Sequence, residues 1–220
     1  VLQCAISAVD EEGAKTNLKS EWIGFNFEKA YKSTKNSWNK MLGRIDVTSK
    51  IYEGKQKEIF YTSLYHLLIQ PNIFQDADNR YRGMDNKIHF GDPEYPRYTV
   101  FSLWDTYRAA HPFYQLVYPD YNEKFVLSFL GQFDECGRLP VWELAGNETY
   151  CMIGNHSIPV LTNALLDQNS RISNYRQRIE RAIRETLVQD FSCLQNFRNG
   201  FISSDECSES VSKTIENSVD

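Results

Sequence analysis

The clearest helical rhythm in the chain begins after Asn26. Phe27, Ala30, Tyr31, Thr34, Trp38, Met41 and Leu42 fall on one stripe, with Asn26 placed to cap it and Gly43 to stop it. A second helix is predicted from about Lys55 to Gln70. Its apolar face is Ile59, Phe60, Leu64, Leu67 and Leu68, and Pro71 ends it. The same logic recurs between Asp120 and Gly137, with Asp120 as cap, Gly137 as stop, and Phe125, Val126, Phe129, Leu130 and Phe133 as the face. Helix is expected again over Cys151–Asp167, kinked at Pro159, and over Ser170–Val188 with Ile172, Tyr175, Ile179, Ala182, Ile183 and Leu187 as its stripe. The opposite face of that last helix carries Arg171, Arg176, Arg178, Arg181 and Arg184, a pattern read as a solvated face.

Other stretches read differently. Val1–Val9 alternates loosely and predicts a strand, Glu11–Glu21 a short helix, and "RIDV" a short β-like piece. Residues 72 to 99 break periodicity and read as a long loop with Asp, Asn, Gly and Pro turn signals. Residues 138 to 150 form a second loop, bearing Trp and acids. Strand–helix alternation, a glycine-rich phosphate loop and a fixed-period repeat are all absent from the sequence. The class is therefore mainly α: antiparallel helices joined by short and long loops, a pattern that fits a helical toroid or part of one. Its long loops would gather at one rim and build a site there. The opening "VLQCAISAV" and the helix pattern of "SESVSKTIENSVD", capped by Ser208 or Ser210, lead us to expect a piece of a larger protein.

Composition narrows the classes. Net charge is −5, with acids and bases interspersed, which excludes the basic face of a nucleic-acid binder. No apolar run approaches the roughly 18 residues of a membrane span. Cys4, Cys136, Cys151, Cys193 and Cys207 show no CxxC spacing and are expected to be mostly small buried hydrophobes rather than a zinc or disulfide set.

Three stretches carry candidate chemistry. In "FSLWDTYRAAHPF", Ser102 caps the stretch, and Asp105 and Arg108 stand three apart on a helix while Trp104 and Tyr107 share a neighbouring face. The residues admit either a local ion pair beside core aromatics or a sugar site. In the latter, a carboxylate and a guanidinium would meet vicinal hydroxyls while an indole covers the ring face. "LPVWELAGNETYCMIGNH" repeats the recipe with Trp142, Glu143, Asn147, Glu148 and His156. Glu143 and Glu148 admit an acid/base pair of the glycosidase kind or ordinary loop carboxylates, and His156 a base or a structural histidine. Asp76, Asp78, Asn79 and Asp85 superficially evoke a calcium loop but lack its glycine and terminal Glu, so turn formation is expected of them.

The motifs then resemble a known family. "FYTSLYHLLIQPNIFQDADNRYRGMD", "YTVFSLWDTYRAAHP" and "LPVWELAGNETYCMIGNHSIPVL" are similar, in this order, to the glycoside hydrolase family 92 exo-acting α-mannosidases, and "ESVSKTIE" matches further on. The likeness covers most of residues 1 to 165 and again 209 to 216, while residues 166 to 200 depart from the family pattern. It implies a β-sandwich followed by an (α/α)6-type helical toroid, with calcium-dependent, inverting removal of terminal mannose. Residues 1–50 would be a strand and linker helices leaving the sandwich, and residues 51–220 the first part of the helical domain. Asp105 would contact hydroxyls of the terminal mannose, and Trp104, Arg108, Trp142, Asn147 and Glu148 would line or brace the pocket. No catalytic residue and no Ca2+ ligand is expected in this chain, which would be inactive alone. The implied partners are mannose-containing glycans and the rest of the same polypeptide, and the implied location is periplasmic, cell-surface or secreted. Two alternatives are a non-catalytic carbohydrate-binding relative and a purely structural helical scaffold.

Overall fold

A computed structural model describes residues 2–21, 24–48, 54–166, 171–188, 200–205 and 207–220. Helices α1 (Glu11–Glu21), α2 (Phe27–Leu42) and α3 (Lys55–Leu67) come first. Four short strands follow: β1 (Asn72–Ile73), β2 (Arg80–Arg82), β3 (Ile88–Phe90) and β4 (Tyr98–Thr99). Then come β5 (Phe101–Ser102), α4 (Leu103–Thr106), α5 (Ala110–Val117) and α6 (Pro119–Cys136). Strands β6 (Trp142–Leu144) and β7 (Asn147–Glu148) lead to α7 (Ser157–Leu166), a 3-10 turn at Arg171–Tyr175, α8 (Arg176–Val188) and α9 (Ser210–Val219). The protein is mainly α, as the periodicity predicts.

The core lies where α5, α6, α7 and α8 meet. Phe129, Leu130, Leu139, Leu161, Ile172 and Ile179 are fully enclosed there. Phe101 meets Phe129 at 4.6 Å in an edge-on arrangement, and Tyr98 meets Phe125 at 5.0 Å in the same manner. His111 stands among Phe125, Phe129 and Tyr114, and burial pushes its imidazole down to about 3, so the ring is neutral.

Three prolines set where helices begin. Proline lacks the N–H that a helix interior needs, but the first turn has no use for that donor. Pro119 opens α6, so Tyr118 rather than Asp120 is the N-cap; Asp120 instead holds Arg44 through two oxygens, at 2.7 and 3.0 Å. Pro159 sits in the first turn of α7, which starts at Ser157, so the predicted kink does not occur. Pro112 sits in the first turn of α5, and the expected continuous helix through "FSLWDTYRAAHPF" breaks at residues 107–109.

Other expectations are corrected by side chains that replace backbone partners. Residues 2–9 pair with no strand among the described residues, because Asn17 and Arg82 side chains take the carbonyls of Ile6, Ala8 and Val9. "RIDV" forms no strand either, since the Tyr61 hydroxyl donates to Ile45 O at 2.9 Å and accepts from Val47 N at 3.3 Å. The stripe on α2 is only partly used: Met41 and Leu42 pack on the core, while Phe27 stays 76% exposed. The predicted span Ser170–Val188 begins with the 3-10 turn, and both Ser170 and Asp167 lie outside the described residues. Cys4 and Cys151 are exposed rather than buried, Cys207 is buried, and Cys193 lies outside the described residues.

The long loop is a strap across α6. It folds into two ribbons, β1 against β4 and β2 against β3, all antiparallel. Its anchor is a buried ion pair, Arg97 Nη2 to Glu135 Oε2 at 2.5 Å, with both side chains about 95% enclosed (5% and 4% exposed). Tyr81 donates to Glu135 Oε1 at 3.0 Å, and Met84 N to Oε2 at 2.9 Å. Gly131 permits the approach, since a Cβ there would fall 2.3 Å from Arg97 Nη1. Breaking a buried pair from one side strands the other charge and costs about 3–5 kcal/mol. Glu135→Ala is therefore expected to destabilise the chain by about that amount, measured as the shift in urea unfolding; a loss below ~1 kcal/mol would contradict the anchor role.

Candidate functional site

The site-bearing segments meet in a three-stranded antiparallel sheet, β5–β6–β7. Phe101 pairs with Glu143 and Ser102 with Trp142, so the two Trp-and-acid stretches lie side by side. Strand β5 runs straight into α4, which presents Trp104 and Asp105 at the surface, Trp104 being 40% exposed. Trp142, paired with Ser102, is half-buried. Ser102 does not cap the backbone of α4; its hydroxyl donates to Asp105 Oδ2, which orients the carboxylate.

Glu143 holds the sheet to the strap. Its carboxylate is 1% exposed and accepts from Thr99 Oγ1 at 2.8 Å, Gly146 N at 2.7 Å and Val100 N at 3.2 Å. Burial raises its pKa above the ordinary 4.5, against the pull of the Gly146 N–H, the Thr99 hydroxyl and Arg97. Val100 stands at φ +68, a left-handed backbone that a β-branched residue rarely adopts. That strained residue separates β4 from β5 and swings the chain from the strap into the rim. The β6–β7 turn is equally tight, with Ala145 at φ +51 and Gly146 at φ +76, the two positive values a two-residue hairpin requires.

Glu148 organises the approach to β6. It accepts from Val141 N at 2.7 Å, Trp142 N at 2.9 Å and Tyr150 N at 2.9 Å. Asn147 donates to Ala145 O at 3.0 Å. Both glutamates are thus engaged with loop backbone, which favours a bracing role over acid/base chemistry.

Arg108 does not pair with Asp105. The break after α4 turns it towards α9, where Nη2 reaches Glu216 Oε2 at 3.3 Å while the guanidinium covers the Tyr107 ring at 4.8 Å. His156 takes the structural reading: its ring stacks on Tyr107 at 3.9 Å and Nδ1 meets Asp220 Oδ1 at 2.8 Å. Glu216 and Asp220 were not singled out from the sequence, although their spacing of four puts both on one helical face. The aspartates of the strap act in turns and anchors. Asp76 accepts from Ser7 Oγ at 2.5 Å and Asn17 Nδ2 at 2.7 Å, and Asp78 holds Arg80 at 2.8 Å. Asp85 meets His89 at 2.9 Å, which holds its carboxyl down to about 2, and Asn79 accepts from Gln75 at 3.1 Å. On α8, Arg178, Arg181 and Arg176 pair with Asp134, Glu185 and Glu180, as a solvated face does.

The α4 segment thus presents an exposed indole beside a carboxylate oriented by Ser102, on a largely helical scaffold. Comparison identifies the family. The glycosyl hydrolase family 92 catalytic domain matches residues 13–220, and the chain belongs to that family. Among solved structures it is similar to the family GH92 alpha-mannosidase BT3965 from Bacteroides thetaiotaomicron. There it shows 39% identity and a TM-score of 0.86, over 96% of this chain and 28% of that one. The same alpha-mannosidase, solved in complex with mannoimidazole, matches equally well, with 39% identity and a TM-score of 0.86 over 96% of this chain and 27% of that one. The GH92 inverting mannosidase BT2199 from Bacteroides thetaiotaomicron VPI-5482 follows at 25% identity and a TM-score of 0.82, over 96% of this chain and 29% of that one. The chain thus spans a little over a quarter of the length of these relatives. No curated protein matches it.

Two carboxylates here give opposite responses to pH. Glu143 has a raised folded pKa, so its stabilising contribution is complete below 4.5 and is lost as pH rises through the folded value. Asp85 has a lowered one, so its contribution is present above 3.8 and is lost as pH falls through about 2. Urea unfolding from acid to neutral pH is expected to show that Glu143→Gln removes the decline above 4.5, whereas Asp85→Asn removes the decline below 3.8. Identical pH slopes for wild type and both variants would refute this.

Proposed function

We propose that this chain supplies the sugar-gripping wall of a calcium-dependent, inverting exo-α-mannosidase that removes terminal α-mannose from glycans. In this reading residues 1–50 are the linker region that follows a β-sandwich, and residues 51–220 open an (α/α)6-type toroid. Asp105 accepts from two hydroxyls of the terminal mannose, as an ionised carboxylate can. Trp104 and Trp142 offer indole faces to the apolar side of the ring, Arg108 borders the pocket, and Asn147 and Glu148 brace it. The observation that carries the reading is the Ser102–Trp142 pairing, which sets Trp142 beside the segment bearing Trp104 and Asp105.

The chemistry proposed for the whole enzyme is a single displacement. One protonated carboxyl gives its proton to the leaving oxygen while a carboxylate activates water on the opposite ring face. Both groups belong outside this chain, whose own part is to fix the sugar's orientation. Among the described residues no group of three or more His, Cys, Asp or Glu side chains is arranged to hold a metal ion. In this reading the calcium ligands belong elsewhere in the protein, and no step is derived through the ion. The proposed location is periplasmic, cell-surface or secreted; among the described residues no helix is long and apolar enough to cross a membrane.

The test is mannose release from α-mannosides by the full-length protein, with and without a chelator. Asp105→Ala is expected to lower kcat/KM by about 10- to 100-fold, the worth of a hydrogen bond to a charged group, with unchanged calorimetric stability. Mannoside binding without hydrolysis would move the assignment to a non-catalytic carbohydrate-binding relative. Lost stability with unchanged sugar affinity in Asp105→Ala would make this segment a scaffold only.

A further inference from the structure

Helix α9 docks through two carboxylates one turn apart. Asp220, its side chain 1% exposed, meets His156 Nδ1 at 2.8 Å with one oxygen and accepts from Asn155 N at 2.6 Å with the other. Asn217, on the same stretch of α9, accepts from Asn155 Nδ2 at 3.2 Å. Glu216 lies one turn earlier along the same seam. It accepts from Tyr107 OH at 3.4 Å and Arg108 Nη2 at 3.3 Å, and stands 3.8 Å from His156 Nε2.

His156 is the piece between the two acids. Its ring is 1% exposed and lies flat on Tyr107, with 4° between the planes and 3.9 Å between the centroids. Its Nε2 is buried and has no hydrogen-bond partner among the described residues, only Glu216 beyond bonding distance. Gly154 makes room for the ring: it stands at φ +85, and a Cβ there would fall 2.4 Å from His156. A buried imidazole bonded on one side and unbonded on the other is costly if its only task is to fill space, because an apolar ring would pack there without an orphaned nitrogen. The arrangement is accounted for when the ring holds something else in place.

What it holds is the segment that carries the sugar-binding carboxylate. Tyr107 lies two residues beyond Asp105 and closes α4, its N–H donating to Leu103 O at 3.0 Å just where the helical run breaks at residues 107–109. The Tyr107 ring is gripped on one face by His156 and on its hydroxyl by Glu216, and the next residue, Arg108, is tied to the same Glu216. We propose that Glu216, His156 and Tyr107 form a positioning clamp that sets the pose of the Leu103–Arg108 segment, and with it Asp105, from helix α9. The proposal rests on Asp105 being the mannose-contacting group. It assigns Glu216 to sugar affinity although Glu216 need not touch the sugar, and it makes Arg108 a tether rather than a direct contact.

The test uses the full-length protein with Glu216→Gln, Tyr107→Phe and, as reference, Asp105→Ala. Tyr107→Phe keeps the ring on His156 and removes only the hydroxyl, so it is expected to fold. Amide exchange over residues 103–108 is expected to rise about tenfold in Glu216→Gln and less in Tyr107→Phe, the mark of a locally loosened segment. KM for a terminal α-mannoside is expected to rise by about the same factor with kcat within about twofold, as lost binding rather than lost chemistry requires. Unchanged exchange overturns the clamp whatever the activity. Faster exchange with unchanged KM, while Asp105→Ala does raise KM, also overturns it, because the acids then serve stability alone. Faster exchange with KM unchanged in all three variants upholds the clamp and sinks the reading of Asp105 as the sugar contact.

Discussion

The buried carboxylate of Glu143 is the constraint on which the rim depends. A carboxylate taken out of water must be paid back in hydrogen bonds, and its partners come from three places: the end of the strap, the residue after it and the β6–β7 turn. Holding Val100 in the left-handed region costs about 1–3 kcal/mol. The bond from Val100 N to Glu143 helps to keep the residue in that conformation. Thr99 does double service, since its hydroxyl donates to Glu143 and accepts from Ala145 N at 2.7 Å. Without this knot the strap and the hairpin would have no common reference, and Trp142 would lose its register against Ser102.

A second buried charge sits a short distance back along the strap. Arg97 precedes Thr99 by two residues and anchors to α6 through Glu135, so the strap is pinned to the core just before it is pinned to the hairpin. The two acids solve the same problem differently. Glu135 is matched by a guanidinium and two further donors, and Glu143 is matched mainly by backbone and hydroxyl donors. Between them the backbone direction of Tyr98–Ser102 is settled, and α4 inherits it. The exposed end of this chain of constraints is Asp105, oriented by Ser102 on one side and by the Tyr107–His156 stack on the other.

Much of the helical scaffold was legible in the sequence. The α6 face of Phe125, Val126, Phe129, Leu130 and Phe133 is buried as its spacing implies, and Gly137 stops that helix in a left-handed turn at φ +79. Asn26 caps α2 with its side chain on Lys29 N at 2.9 Å. Helix starts were less legible wherever proline intervened. Pro159 reads as a kink along the sequence and Pro112 stands inside an expected continuous helix, yet in the fold each occupies a first turn, where the missing donor costs nothing. Short strands were harder still: β1 to β7 run two or three residues, too few for a period of two to show.

What the sequence determined by itself is what local spacing and composition carry. That includes the apolar stripes, the caps and stops, the two segments rich in Trp and acid, and the ordered motifs that place the chain in family 92. What only the tertiary structure decided is the partner of each charged side chain. Asp105 and Arg108 stand three apart, yet one turns to Ser102 and the other to a glutamate 108 residues further along the chain. Glu143 and Glu148 read as a pair, yet each belongs to its own knot of backbone donors. The physical reason is the cost of burial. Once the core encloses a charge, the nearest donor in space fixes its role, and that donor is set by packing between elements that no local window contains.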